Sequence, residues 1–276
     1  MDSNTRSALL QLSDIVQSFH ASFRGDTRVQ GDPISDSLSK TFRLKLIPQK
    51  CQVFWKPRPL DQDAFKDVVS KVRDDRYEIP ADLLPPPEGK SFEIYDAYHR
   101  SKSTHADIFS YASDGIFHSD DFCNTETGQC EFLCLEDFYV YHQIFVESIF
   151  VFCSPPRPHI TVISIQPQQG PPDNLVLTEL FTLIYWGMHF ARRVKQHGSL
   201  PIRVVSICDT KARFLSANLT PEYLRYIATE KSDKEGLPVK LDISIGAYYE
   251  MSKDEEVVPF MRELVDIPVS RSVQDS

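Results

Sequence analysis

The sequence predicts an α/β protein built on a mixed sheet with flanking helices, and three observations carry that prediction. Two runs, "ITVISIQ" (160–166) and "IRVVSIC" (202–208), are apolar or β-branched at nearly every position, as strands covered on both faces are. Between them lies one long amphipathic segment, "DNLVLTELFTLIYWGMHFARRVKQHG", too long for a strand and spaced for a helix. After them, "VKLDISIGAYYEM" alternates as a strand and "SKDEEVVPFMRELVDI" reads as a closing helix with Ser252 as its cap. A strand–helix–strand unit of this kind crosses over right-handed and lays its two strands side by side in parallel.

The remaining elements follow in chain order. Residues 5–23 place Leu9, Leu12, Val16, Phe19 and Phe23 on one helical face, and a polar loop follows to residue 39. "KTFRLKLIPQKCQVFWKP" reads as two short strands, with Phe42, Leu44 and Leu46 alternating against charges; "DQDAFKDVVSKVRDD" reads as a short helix. The Pro-rich break at Pro85–Pro87 divides the chain into an N-terminal helical and strand extension (1–84), an α/β core (85–267) and a short tail (268–276). "SFEIYDAYH" and "DIFSYASDGIFH" read as strands, and "CNTETGQC" as a turn with Gly128 free to take positive φ. The run 131–152 reads as strand at both ends, with helix left open for its middle. The long helix is expected to start at Asp173 or Asn174, to bury Leu177, Leu180, Phe181, Ile184, Met188 and Ala191, and to stop at Gly198. "RFLSANL" is a further strand, and "TPEYLRYIATE" a helix capped by Thr220 with Pro221 in its first turn.

Composition narrows the function classes. Of 276 residues, 41% are hydrophobic and 25% charged, which argues against global disorder. The N-terminus has no apolar core of the roughly 7–15 residues that a secretory signal needs, and the most apolar stretch, 175–191, is broken by Thr178, Glu179, Thr182 and His189. An intracellular protein, cytoplasmic or nuclear, with reduced cysteines and no membrane partner is the expectation. The net charge of −9 is unevenly spread: residues 1–100 balance, whereas 101–173 hold only Lys102 and Arg157 against ten acids. Such a stretch repels phosphate backbones, so a nucleic-acid partner is not expected; a protein or a small molecule is.

No phosphate loop, dinucleotide fingerprint, nucleophile elbow or paired-histidine zinc helix is present. The order helix, strands, strand "ITVISIQ", long helix, strand "IRVVSICD", over about residues 92–210, resembles the α-β-β-β-α-β core of the PD-(D/E)XK, restriction-endonuclease-like superfamily. That resemblance implies an acid on one strand and an acid-x-lysine on the next, which bind Mg²⁺ and activate water for phosphodiester hydrolysis. On it, Ser164 stands at the acid position and Gln166 at the lysine position, and the other acid falls to Asp114, Asp120, Asp121 or Asp137, among which spacing does not choose. The implied fold is a degenerate nuclease-like one; the alternative is a generic sheet that never bore those charges.

Two further constellations stand beside it. His118, Cys123, Cys130 and Cys134 suit a tetrahedral zinc site by residue type, although their spacing is looser than the tight Cys pairs of zinc modules; packed free thiols are the expectation. Cys208, Asp209, Lys211 and Arg213 cluster at a strand end, where α/β folds place ligand groups, and read chiefly as a buried cysteine followed by a charged hairpin. Tyr185, Trp186 and His189 are expected in the core, and Tyr248–Tyr249 exposed, at the surface or an interface. The leading expectation is therefore a non-catalytic binding or accessory protein, a pseudo-enzyme without a cofactor. The alternatives are a hydrolase using Mg or Zn, held by acids and histidines of residues 105–147, and an accessory protein of small-molecule biosynthesis with an apolar pocket.

Overall fold

A computed structural model describes residues 33–48, 55–57, 63, 66, 70, 100–108, 145–152, 159–166, 169–193, 199–228 and 239–268, together with 130–134. Seven of its strands form one mixed sheet. In chain order they are β1 (Leu44–Pro48), β3 (Cys130–Cys134), β4 (Phe145–Phe152), β5 (His159–Ile165), β6 (Leu200–Cys208), β7 (Lys211–Leu219) and β8 (Leu241–Glu250). Across the sheet the order is β1-β8-β7-β6-β5-β4-β3. The short strands β2 (Trp55–Lys56) and β9 (Ile267–Pro268) pair separately, antiparallel.

The predicted crossover is present. β5 and β6 pair in parallel from Ile160↔Ile202 to Ile165↔Ile207, and the helix between them, α3 (Leu177–Arg193), packs on one face of the sheet. Every residue of β5 is buried, and in β6 all but Cys208. α3 lies so close that a Cβ on Gly187 would stand 1.9 Å from Leu219 Cδ1, so glycine is what permits this approach. On the other face lies α5 (Asp254–Leu264), whose Phe260 stacks on Phe214 at 4.7 Å. Arg203 is buried there: its guanidinium lies 3.9 Å from the Trp55 ring centre and donates to the carbonyls of Glu263 and Leu264, satisfying the C-terminal end of α5.

Several local readings hold and others shift. α4 (Pro221–Ala228) begins as read, with the Tyr223 N–H donating to Thr220 Oγ1 at 3.2 Å. β3 and β4 are strands at the two ends of the ambiguous run. β1 joins the main sheet by pairing in parallel with β8, so residues from both sides of Pro85–Pro87 contribute to one sheet. Residues 33–48 also hold α1 (Asp36–Thr41), and Ile34 donates to the Leu175 carbonyl at 2.8 Å. The reading of residues 5–23, like the tail beyond 268, lies outside the described residues.

Four expectations are corrected. Residues 100–108 are helical, in α2, so Asp107 and Ile108 belong to a helix and do not open a strand. Its buried positions are Ser101, Thr104 and Ile108, a helical spacing hidden because two of the three are small and polar. α3 begins at Leu177 because Glu179 folds back to accept the Val176 N–H, while the Asn174 side chain accepts the N–H of Leu175. Its buried stripe runs through Leu180, Leu183, Ile184, Gly187 and Phe190, leaving Leu177 and Phe181 half-buried. Ser252 does not cap α5: its hydroxyl donates to Glu250, Lys253 takes the cap position without a side-chain bond, and Asp254, Glu255 and Glu256 complement the positive end of the helix.

Candidate functional site

Across the four central strands the rows facing α3 change character at one point. The row Val162–Val204–Leu215–Ile245 is wholly apolar. The next polar row toward the carboxyl ends of β5 and β6 is Ser164–Ser206–Arg213–Tyr248. Open α/β sheets place ligand groups beyond these strand ends, so this row marks the candidate site. On the neighbouring strand β4, the register slips between Val146 and Ser148, directly beside Ser164. Bulges of this kind occur preferentially at sheet edges and beside functional sites.

Above the row stands the first turn of α3, which brings Glu179 over Ser206 and Arg213. Both Glu179 and Arg213 side chains are 0% exposed, and they meet as a bidentate pair: Nε donates to Oε1 at 2.9 Å and Nη2 to Oε2 at 2.5 Å. Ser206 Oγ donates to Oε1 at 2.6 Å and the Val176 N–H to Oε2 at 3.0 Å, so both carboxylate oxygens have two donors each. Arg213 spends its other N–H groups on the carbonyls of Pro171 at 2.6 Å and Asn174 at 3.0 Å. Its guanidinium also lies 4.7 Å from the centre of the Tyr248 ring. Tyr248 Oη accepts the Gly170 N–H at 2.9 Å, and burial, followed by the nearby Glu179 carboxylate, raises its phenol above the ordinary range. Gly170 is required at that point, because a Cβ would lie 2.5 Å from Arg213 Nη2.

Ser164 and Gln166 sit on the same side, buried, and bond to each other: Gln166 Nε2 donates to Ser164 Oγ at 2.9 Å, and Thr178 Oγ1 donates to Gln166 Oε1. The Ser164 hydroxyl thus receives an amide N–H where a nucleophile would need a base to take its proton. The described residues do not fit a Mg²⁺ site at this end of the sheet. Ser164 and Gln166 are neutral, and the Glu179 carboxylate is saturated by four donors, two from the Arg213 cation, one from Ser206 and one from the Val176 backbone.

Asp114, Asp120, Asp121, Asp137, His118 and Cys123 lie outside the described residues, and Cys130 and Cys134 are the two ends of β3. Among the described residues, no group of three or more His, Cys, Asp and Glu side chains is placed to hold a metal ion. The cluster after "IRVVSI" is dispersed. Arg213 enters the buried pair, Lys211 donates to Gln169 at 3.3 Å, and Asp209, at φ 60°, is engaged by α2. Cys208 is a half-buried free thiol whose pKa is pushed up to about 11 by burial, then by Asp209 and Glu179, against Lys211. Thiolate is the reactive form, so Cys208 is expected to alkylate at well under one-tenth the rate of an ordinary exposed thiol at pH 7.5. Mass-spectrometric mapping after iodoacetamide treatment checks this, and rapid labelling at Cys208 in folded protein would contradict it.

Sequence reasoning did not assign Glu179 or Ser206 to a site, took Tyr248 for a surface or interface residue, and did not see Arg213 as half of a buried pair. One signal was present. Glu179 and Arg213 are lone charges of opposite sign within apolar runs, "LVLTELFTLI" and "ARFLSA", and a charge on a buried element needs a partner. Tyr248 and Tyr249, expected to be exposed, are half-buried; Tyr249 stacks edge-on to Phe260 and donates to Glu263 at 2.7 Å. Trp186 is buried in the core as expected, with Tyr185 half-buried against it.

What fold and site define together is an α/β protein with a mixed sheet whose carboxyl end is closed by a neutralised ion pair. No protein-family model, curated protein or solved structure matches the chain. No helix among the described residues is long and apolar enough to cross a membrane.

Proposed function

We propose that this chain is a non-catalytic binding or accessory protein on a degenerate nuclease-like fold, acting on a protein or small-molecule partner. One observation carries the reading: at the strand ends where α/β enzymes hold their reactive groups, Glu179 and Arg213 neutralise each other out of contact with water. The positions that would supply acid and lysine hold Ser164 and Gln166, which are bonded to each other. The described elements α2, β3, β4, β5, α3 and β6 follow one another in an order compatible with the nuclease-like reading. Loss of one charge stabiliser typically costs about 10²–10³ in rate, so loss of both leaves hydrolysis near background.

The test incubates native protein with Mg²⁺ and single-stranded DNA, duplex DNA and RNA, beside a Ser164→Glu, Gln166→Lys double variant. No metal-dependent cleavage by the native protein is expected. Robust cleavage that disappears on changing Asp114, Asp120, Asp121 or Asp137 would overturn the reading and establish a metal-dependent hydrolase. Partial activity of the double variant beside an inactive native protein would support the degenerate ancestry.

A further inference from the structure

We infer that α2 is an ionic latch: a helix that docks and undocks as a unit on the β6–β7 turn while the sheet stays folded, controlling access to the carboxyl end of β6. The turn is two residues long, Asp209 and Thr210, between paired Cys208 and Lys211. Asp209 stands at φ 60°, in the left-handed region, one of two such non-glycine residues among those described. A single helical face reads all of its polar groups. Ser101 Oγ accepts the Asp209 N–H at 2.6 Å, Thr104 Oγ1 donates to the Asp209 carbonyl at 3.0 Å, and Arg100 donates to both carboxylate oxygens through Nε and Nη2.

The composition of the docked face makes the contact reversible. Of the buried residues of α2, Ser101 and Thr104 contribute almost no apolar area, and Ile108 alone is a large hydrophobe. Over the described residues 100–108 the apolar stripe is narrow, and a helical segment that buries so little apolar area persists only where it is docked. The Arg100–Asp209 pair is 44% and 40% exposed, and is therefore open to screening as the Debye length falls from about 10 Å at 0.1 M salt to about 3 Å at 1 M. By contrast, the Glu179–Arg213 pair near the same end of β6 is sealed from ions. Salt consequently acts on one pair and not on the other. Undocking bares the Asp209 carboxylate, N–H and carbonyl at the carboxyl end of β6, and this inference holds whether or not the protein is catalytic.

Hydrogen exchange followed by mass spectrometry on the full chain tests it, with peptides from α3, β5 and β6 as internal references. Between 0.1 M and 1 M NaCl, exchange in residues 101–108 is expected to rise about two- to fivefold relative to those references, and Arg100→Gln should give a similar rise at low salt. Ser101→Ala with Thr104→Ala, which leaves the charge pair in place, should raise it tenfold or more. Asp209→Asn keeps the backbone contacts and a side chain that tolerates positive φ, so it should behave like Arg100→Gln. Acceleration confined to 101–108 supports the latch. Unchanged exchange there, or acceleration shared by β5 and β6, would overturn it.

Discussion

Replacing Arg213 by Met, or Glu179 by Ala, is expected to lower the stability of the protein by about 3–5 kcal/mol, or to lower Tm by on the order of 10 °C. Either change strands its partner as an uncompensated charge with no access to water, since both side chains are 0% exposed. Arg213→Met also deprives the Pro171 and Asn174 carbonyls of a donor, and Glu179→Ala deprives the Ser206 hydroxyl and the Val176 N–H of an acceptor. The double variant Glu179→Ala, Arg213→Met removes both charges together, and its cost is expected to fall short of the two singles summed by at least about 2 kcal/mol. Urea unfolding of the four proteins measures that coupling directly. Additive costs would mean that the two groups are hydrated separately in solution, and the closed-site reading would lose its main support. If the pair is only a structural plug, removing it changes stability without creating metal-dependent hydrolysis; cleavage gained in the double variant would show the plug to be covering a competent site.

The second large effect is expected of Ile163→Asp. Ile163 is wholly buried in β5, paired with Ser148 on one side and Val205 on the other, on the face turned away from α3. An aspartate there must either ionise without a partner or remain protonated at a steep cost, several kcal/mol in either case. Against a total stability of about 5–15 kcal/mol, that is enough to leave much of the protein unfolded. Soluble yield and circular dichroism report the outcome, with Ile163→Val as a control expected to cost only about 0.5–1.5 kcal/mol. A folded, cooperatively melting Ile163→Asp protein would show that this position is hydrated and would refute the placement of β5 in the centre of the sheet.

Periodicity is a record of burial, and where burial decides structure the sequence was informative. The unbroken apolar runs of β5 and β6 could only be strands covered twice, and the helix between them enforced their parallel pairing. Thr220 and Pro221 marked the start of α4 by local chemistry alone. The signal faded where burial is achieved by small polar residues. Ser101 and Thr104 face inward because Asp209, 108 and 105 residues along the chain, supplies their hydrogen bonds, so α2 left no apolar pattern to read.

The candidate site was legible in one half only. Ser164 and Gln166 were placed at the correct strand end by their position after "ITVI", and their lack of charge was visible in the letters themselves. The groups that close the site were not, because Glu179 and Arg213 are 34 residues apart and acquire their meaning from contact. A lone carboxylate in the first turn of a helix and a lone guanidinium in a strand look alike whether they face water, a metal or each other. The sequence by itself determined that β5, β6, β7 and β8 are strands, which helix connects the central pair, and that the strand end carries neutral groups. The tertiary structure alone decided that β7 lies beside β6 with Arg213 opposite Ser206, that Glu179 stands above them, and that Tyr248 completes the row. The physical reason is that burial is a property of each residue's own surroundings and leaves a local pattern, whereas charge pairing depends on the register between distant strands, which no local pattern records.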